Sequence, residues 1–152
     1  MNIYTTRKIS DLVISWCAEV LGKSKYHSDY PIPVVQYKSD VYNKRCYGEY
    51  DQYDNIIFVY TRVNRTVKIL INTIIHEYVH YLQQPAWINR YIKKYGTKLK
   101  NNPYECKAET VALSLSKTCE KQLRSKINRW LRKTQHHTNH RFTGKKQGKV
   151  VV

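Results

Sequence analysis

Two histidines four residues apart, with a glutamate directly after the first, sit in the stretch "INTIIHEYVHYLQQ" that runs from Ile71 to Gln84. On an α-helix, residues i and i+4 stand one turn apart on a single face, so the imidazoles of His76 and His80 can converge on one metal ion. Glu77 is rotated by about 100° from that pair and can reach a water held by the metal. Imidazole nitrogen suits zinc, and a carboxylate beside the metal can act as a general base, so the pattern points to metal-assisted hydrolysis with one Zn²⁺ per chain. The same three residues would also suit a solvated polar helix face. A catalytic zinc further needs a third protein ligand, which must come from elsewhere in the chain.

The surrounding residues must build the elements that hold this pattern. Val67, Leu70, Ile71, Ile74, Tyr78 and Leu82 recur at helical spacing and predict a helix from about Asn64 to Gln84. His76 and His80 fall roughly opposite the centre of that stripe, on the side shared by Asn72, Thr73 and Gln83, so they are not obvious core residues. Upstream, Ile9, Leu12, Val13, Trp16, Val20 and Leu21 predict a first helix, with Thr5, Thr6 or Ser10 as N-cap and Gly22 as stop. Between the two helices, "PVVQYK", "RCYGEY" and "NIIFVYTR" read as short strands, and the turn-like "DQYDN" joins the last two as a hairpin. Downstream, "PAWINRYIKKYGTKLK" reads as a short helix closed by Gly96.

In "NNPYECKAETVALSLSKTCEK", Asn102 can cap a helix, Pro103 suits its first position, and Ala108, Val111, Ala112 and Leu115 form a buried face. Glu105 and Glu109 lie one turn apart at its start and are the acidic candidates for the missing ligand. A glutamate three residues after a capping asparagine equally completes a capping box.

The chain has 152 residues, enough for one domain with a single core. Its net charge is +16, and ten of its 27 Lys and Arg lie from Lys121 onward, where there is no Asp or Glu. The expected division is therefore a domain over 1–120 and a basic C-terminal segment over 121–152, with "LRSKINRWLRK" as an amphipathic helix and a polar, disordered tail after it. "MNIYTTRKIS" has no apolar core of a signal peptide, and "LVISWCAEVL" is too short to span a bilayer, so the chain reads as cytoplasmic with no membrane partner. Cys17, Cys46, Cys106 and Cys119 form no Cys-x-x-Cys pair and read as free thiols. His136, His137 and His140 have no acidic neighbour and read as part of the polar tail.

"HEYVHYLQ" followed by "NPYECKAE" resembles the gluzincin zinc metallopeptidases, above all small single-domain members such as the ImmA/IrrE-like group. The resemblance covers about Ile56 to Leu115. It implies an α+β, zincin-like fold, with a small mixed sheet packed on the active-site helix and further helices. It also implies His76, His80 and Glu105 as metal ligands, Glu77 as catalytic base, and Ala108 as a small residue that lets two helices approach. Glu109 falls where the family places a carboxylate or amide that bonds a ligand histidine. In that architecture a sheet edge beside the cleft, here assigned to "NIIFVYTR", pairs with the backbone of a peptide or protein substrate. Tyr104 is a weak candidate for the oxyanion donor, with simple packing the stronger reading.

Two functions follow. The first is a zinc-dependent peptidase acting through metal-activated water and Glu77. The second is a basic nucleic-acid-binding protein on the same scaffold, its metal site structural or vestigial and its C-terminal segment contacting phosphates.

Overall fold

The computed structural model describes residues 1–27, 32–39, 46–97 and 101–142, and in the last of these spans side chains only as far as Lys133. The side chains of His136, His137 and His140 and the tail over 143–152 therefore lie outside the described residues. Those described form four helices and one small mixed sheet of three strands, an α+β arrangement.

Asn2 starts the first helix, α1 (Ile3–Val20), by accepting the Thr5 amide on its side chain at 2.8 Å. The residues expected as caps lie inside the helix instead. Thr6 and Ser10 are buried and turn their hydroxyls onto the carbonyls four residues back, which satisfies them without water. Gly22 follows the helix at φ 81°, a left-handed conformation that costs glycine little.

The strands are β1 (Val34–Lys38), β2 (Gly48–Asp51) and β3 (Ile56–Tyr60), in the spatial order β1-β3-β2. β2 and β3 form the expected antiparallel hairpin, whose turn is set by Asp51 accepting the Tyr53 and Asp54 amides. β1 runs parallel to β3. The substrate-pairing edge was expected at "NIIFVYTR", but β3 is bonded on both sides and has no free edge. Its central place follows from burial, since Ile57 and Val59 face the core and Tyr60, on the other face, is buried as well. Among the described residues, the strand with an open edge nearest the second helix is β2.

That helix, α2 (Val67–Leu82), is capped by Thr66 and packs against α1, the sheet and the last helix together. Its buried surface is accordingly wider than the expected stripe and includes Thr73, Ile75, Glu77, Val79 and Tyr81. Two of its tyrosines fasten the loop after α1: Tyr78 donates to the Gly22 carbonyl at 2.8 Å, and the Tyr81 hydroxyl accepts the Ser24 amide at 2.8 Å. Buried Asn64 joins three elements, donating to the Tyr47 and Tyr60 carbonyls and accepting from the Thr73 hydroxyl. α3 (Pro85–Tyr95) ends at Gly96 as expected and buries none of its residues.

α4 (Pro103–Phe142) is one continuous helix where two helices and a disordered tail were expected. No Gly or Pro interrupts the sequence between Pro103 and Gly144, and Leu123 and Ile127 carry the buried face past Lys121 into the common core. The expected boundary at Lys121 thus falls inside the helix. Asn72 of α2 donates to Ser116 while His80 approaches Glu105, so α4 runs antiparallel to α2. Trp16 Nε1 donates to Gln122 and fixes α1 against the same helix. No helix among the described residues is long and apolar enough to cross a membrane.

Gly48 marks the closest approach of sheet and α2. A Cβ there would lie 2.7 Å from Thr73 Cγ2, 3.0 Å from the Phe58 carbonyl oxygen and 3.1 Å from Glu77 Cγ. Gly48→Ala is expected to destabilise the protein by about 1–3 kcal/mol through overpacking, read as a lower urea midpoint at unchanged slope.

Candidate metal centre

Asn72, His76 and His80 succeed one another at single-turn spacing on the side of α2 that faces α4. Across from them, α4 presents Ala108, Ala112 and Ser116, whose small side chains let the helix backbones approach. Glu105 stands one turn before Ala108 and reaches both histidines: Oε2 lies 3.3 Å from His76 Nε2, and Oε1 lies 3.4 Å from His80 Nε2. The two Nε2 atoms are themselves 3.1 Å apart. Their side chains are 23%, 13% and 29% exposed for His76, His80 and Glu105, so the cluster is partly buried and retains access to solvent.

The donor set fits a zinc ion. Ligands about 2.0–2.1 Å from a tetrahedral metal stand about 3.3 Å from one another; here the two Nε2 atoms are 3.1 Å apart, each has a Glu105 oxygen at 3.3 or 3.4 Å, and one donor atom from each residue lies within 4.8 Å of the other two. Two imidazoles and a carboxylate are also a ligand set that leaves a fourth position open. Of the described residues, His76, His80 and Glu105 form a group able to hold a metal ion.

Local structure explains why Glu105 points this way. Buried Asn102 caps α4 by accepting the Tyr104 amide at 3.0 Å, which makes Pro103 the first helical residue and puts Glu105 in the first turn. The positive end of the helix favours a carboxylate there. Each Glu105 oxygen faces a histidine, so the carboxylate serves the cluster and not a capping box.

Gln83 takes the part expected of Glu109. Its amide nitrogen donates to the Tyr104 carbonyl at 2.9 Å, which turns Oε1 toward His80 Nδ1 at 2.9 Å. An amide oxygen only accepts, so Nδ1 carries a proton; in the metal-free protein Nε2 bonds the Glu105 carboxylate through a proton of its own, and loss of that proton would leave the Nε2 lone pair for a metal. The same side chain ties the end of α2 to the start of α4. Glu109 is exposed and, among the described residues, bonds neither histidine. Tyr104 contributes its carbonyl, while its ring packs edge-on against Tyr91 at 5.9 Å. Gln83 follows His80 by three residues, one helical turn on the same face, and that spacing was the available signal for its role.

Glu77 points away from α4 toward the sheet, with 7% of its surface exposed. Burial pushes its pKa up; the neighbouring His80 and His76 offset part of the rise, and Glu105 and Glu49 add to it. Glu105 is held well below the usual carboxylate range by its bonds to His76 and His80. Burial disfavours charge on His80, but its bond to Glu105, the Glu77 charge and the Gln83 bond together outweigh this and raise its pKa. A second polar group adjoins Glu77: Tyr60 donates to Glu49 at 3.0 Å, and burial with that carboxylate pushes the phenol up to about 12. The Cys46 thiol, bonded to the Gly48 carbonyl, is also pushed up, first by burial and then by Glu77 and Glu49, so it stays protonated.

No protein-family model matches the chain, and neither a curated protein nor a solved structure is significantly similar to it.

Two expectations follow. Gln83→Ala should weaken zinc binding about 10–100-fold, with Gln83→Glu recovering most of it, as competition with a chromogenic chelator would measure. In the metal-free protein the raised pKa of His80 contributes stability that is complete below 6.5 and is lost as pH rises through its folded value; the raised pKa of Glu77 acts with the same sign. The thermal midpoint should therefore decline above neutrality. Zinc competes with the His80 proton, so its stabilising shift should grow over the same range. A zinc shift independent of pH would detach the metal from the histidines.

Proposed function

We propose that the chain is a zinc-dependent peptidase of zincin-like, gluzincin type, in which His76, His80 and Glu105 hold the metal and Glu77 is the general base. The observation that carries this reading is the convergence of three donor side chains from two helices, within ligand spacing of one another, next to a buried carboxylate. The motif resemblance over "HEYVHYLQ" and "NPYECKAE" supports it independently.

When bound, zinc supplies a Lewis acid that polarises the scissile carbonyl and makes water nucleophilic near neutral pH. The remaining work falls to side chains. Glu77 takes the proton of the attacking water and returns it to the leaving amine, and its raised pKa brings it nearer the working pH for both transfers. Its stem passes close to Gly48, where an added Cβ would lie 3.1 Å from Cγ, and burial leaves the carboxylate little freedom before substrate arrives. Gln83 holds His80 in the tautomer that offers Nε2 to a metal.

A peptide substrate suits the neighbouring edge. β2 passes Glu77 at Gly48 and, among the described residues, has one side unpaired, where an extended main chain could bond without demands on its sequence. The rival reading, nucleic-acid binding around a structural or vestigial metal, accounts for the charge on α4 but gives no reason for a buried glutamate beside the donor cluster.

Glu77→Gln is expected to lower hydrolysis of a fluorescently labelled, denatured protein by about 10²–10⁴-fold while zinc content and thermal midpoint stay close to the parent. Glu105→Ala should lose both activity and zinc. Undiminished hydrolysis in Glu77→Gln would overturn the assignment of the base.

A further inference from the structure

The outward face of α4 carries Lys117, Lys121, Arg124, Arg129 and Arg132, all exposed. At 100° per residue they lie within about 80° of the direction opposite buried Cys119, Leu123 and Ile127. They span about 22 Å of helix axis. Among the described residues none of the five makes an ion pair, and no acidic residue follows Glu120 in the sequence. A flexible tail would have spread such charge over many conformations. Here the burial of Leu123 and Ile127 holds the helix against the core and presents the cations as a fixed row.

We infer that this face binds the phosphate backbone of duplex nucleic acid. A duplex carries one charge per about 1.7 Å of axis with both strands counted, so a segment as long as the row holds about 13 phosphates, and those on its near side face the cations. Ser125 and Asn128 line a hollow together with Arg129 and Arg132, and hydroxyl and amide donors set among guanidiniums are the groups that phosphate oxygens accept from. A single strand is a poorer fit, because unpaired bases need an open aromatic face to stack on. The nearest aromatic, Trp130, is only half-exposed, with Tyr4 edge-on at 6.0 Å and Lys8 and Lys133 over its ring at 5.5 and 4.7 Å. An anionic bilayer is disfavoured for a different reason. A helix that lies in a membrane interface inserts an apolar face, and that of α4 is already consumed by the core.

Binding of this kind reads charge and spacing, so it is independent of base sequence and steeply dependent on salt. Arg129 lies about 36 Å along α4 from Glu105, which separates the phosphate surface from the candidate metal centre on one rigid element. Neither function requires the other.

The test uses the full chain and a fluorescent DNA duplex of about 20 base pairs of arbitrary sequence, with anisotropy read between about 50 and 200 mM salt. The triple variant R124Q/R129Q/R132Q changes only exposed side chains, and an unchanged thermal midpoint and zinc content would verify that it folds. Removing three phosphate contacts should reduce the slope of log affinity against log salt by about 2.7, so the affinity lost across that salt range becomes about 40-fold smaller. Glu77→Gln should bind the duplex like the parent, which keeps this inference separable from the peptidase reading. No retention of duplex by the parent at the lowest salt would overturn it. So would a triple variant with the parent's slope, tighter binding of a single strand of equal length, or stronger retention on anionic phosphatidylserine vesicles than on duplex.

Discussion

Ala108, Ala112 and Ser116 present little side chain to α2, and helices that meet over such residues approach toward the short end of interhelical spacing, about 8 Å. At that distance a glutamate in the first turn of α4 can place one carboxylate oxygen against each of two imidazoles on α2. Bulkier residues along the stripe would hold the helices apart and leave the histidines without a third donor. The Asn72–Ser116 bond and the Gln83–Tyr104 bond fix the antiparallel pair at two points along its contact, which sets its register as well as its separation. α1 and the sheet complete the burial of α2, and Trp16 bonding Gln122 closes the third side.

The site is organised as two faces of one helix. Toward α4, the largely buried histidines meet a carboxylate whose negative charge is stabilised by them and by the helix end. Toward the sheet, Glu77 occupies a drier environment, where desolvation opposes its ionisation. Two glutamates on either side of the same histidine pair thus acquire opposite tendencies, one to stay ionised and one to exchange a proton. Gly48 is the steric condition for that second environment, since any Cβ at this position would press on Thr73 and the Glu77 stem.

The spacing of His76, Glu77 and His80 made the first two ligands and the candidate base readable in the sequence, and Asn102 with Pro103 marked the helix that brings Glu105 to them. The helices, the three strands and the hairpin were legible for the same reason: hydrophobic period and turn chemistry are local. What depended on tertiary contact was not. Gln83 looked like one more polar residue until α4 supplied the Tyr104 carbonyl that orients it, while Glu109 is exposed and bonds neither histidine among the described residues. Strand order was equally hidden, so β3 was assigned an edge that belongs to β2. The segment after Lys121 read as a separate basic amphipathic helix, yet Leu123 and Ile127, four residues apart and in phase with Ala112 and Cys119, continue the core face of α4 through it.

α4 therefore supports the architecture in two places along its 40 residues, offering a ligand in its first turn and a fixed row of cations that begins about three turns further on. The central claim concerns the first of these. X-ray absorption at the zinc edge, recorded on purified full-length protein, tests it most directly. The account predicts one zinc per chain in a shell of nitrogen and oxygen alone, with the scattering pattern of two imidazoles that falls to one in His80→Ala. A protein without stoichiometric zinc, or a shell containing sulfur from Cys46 or Cys106, would contradict it.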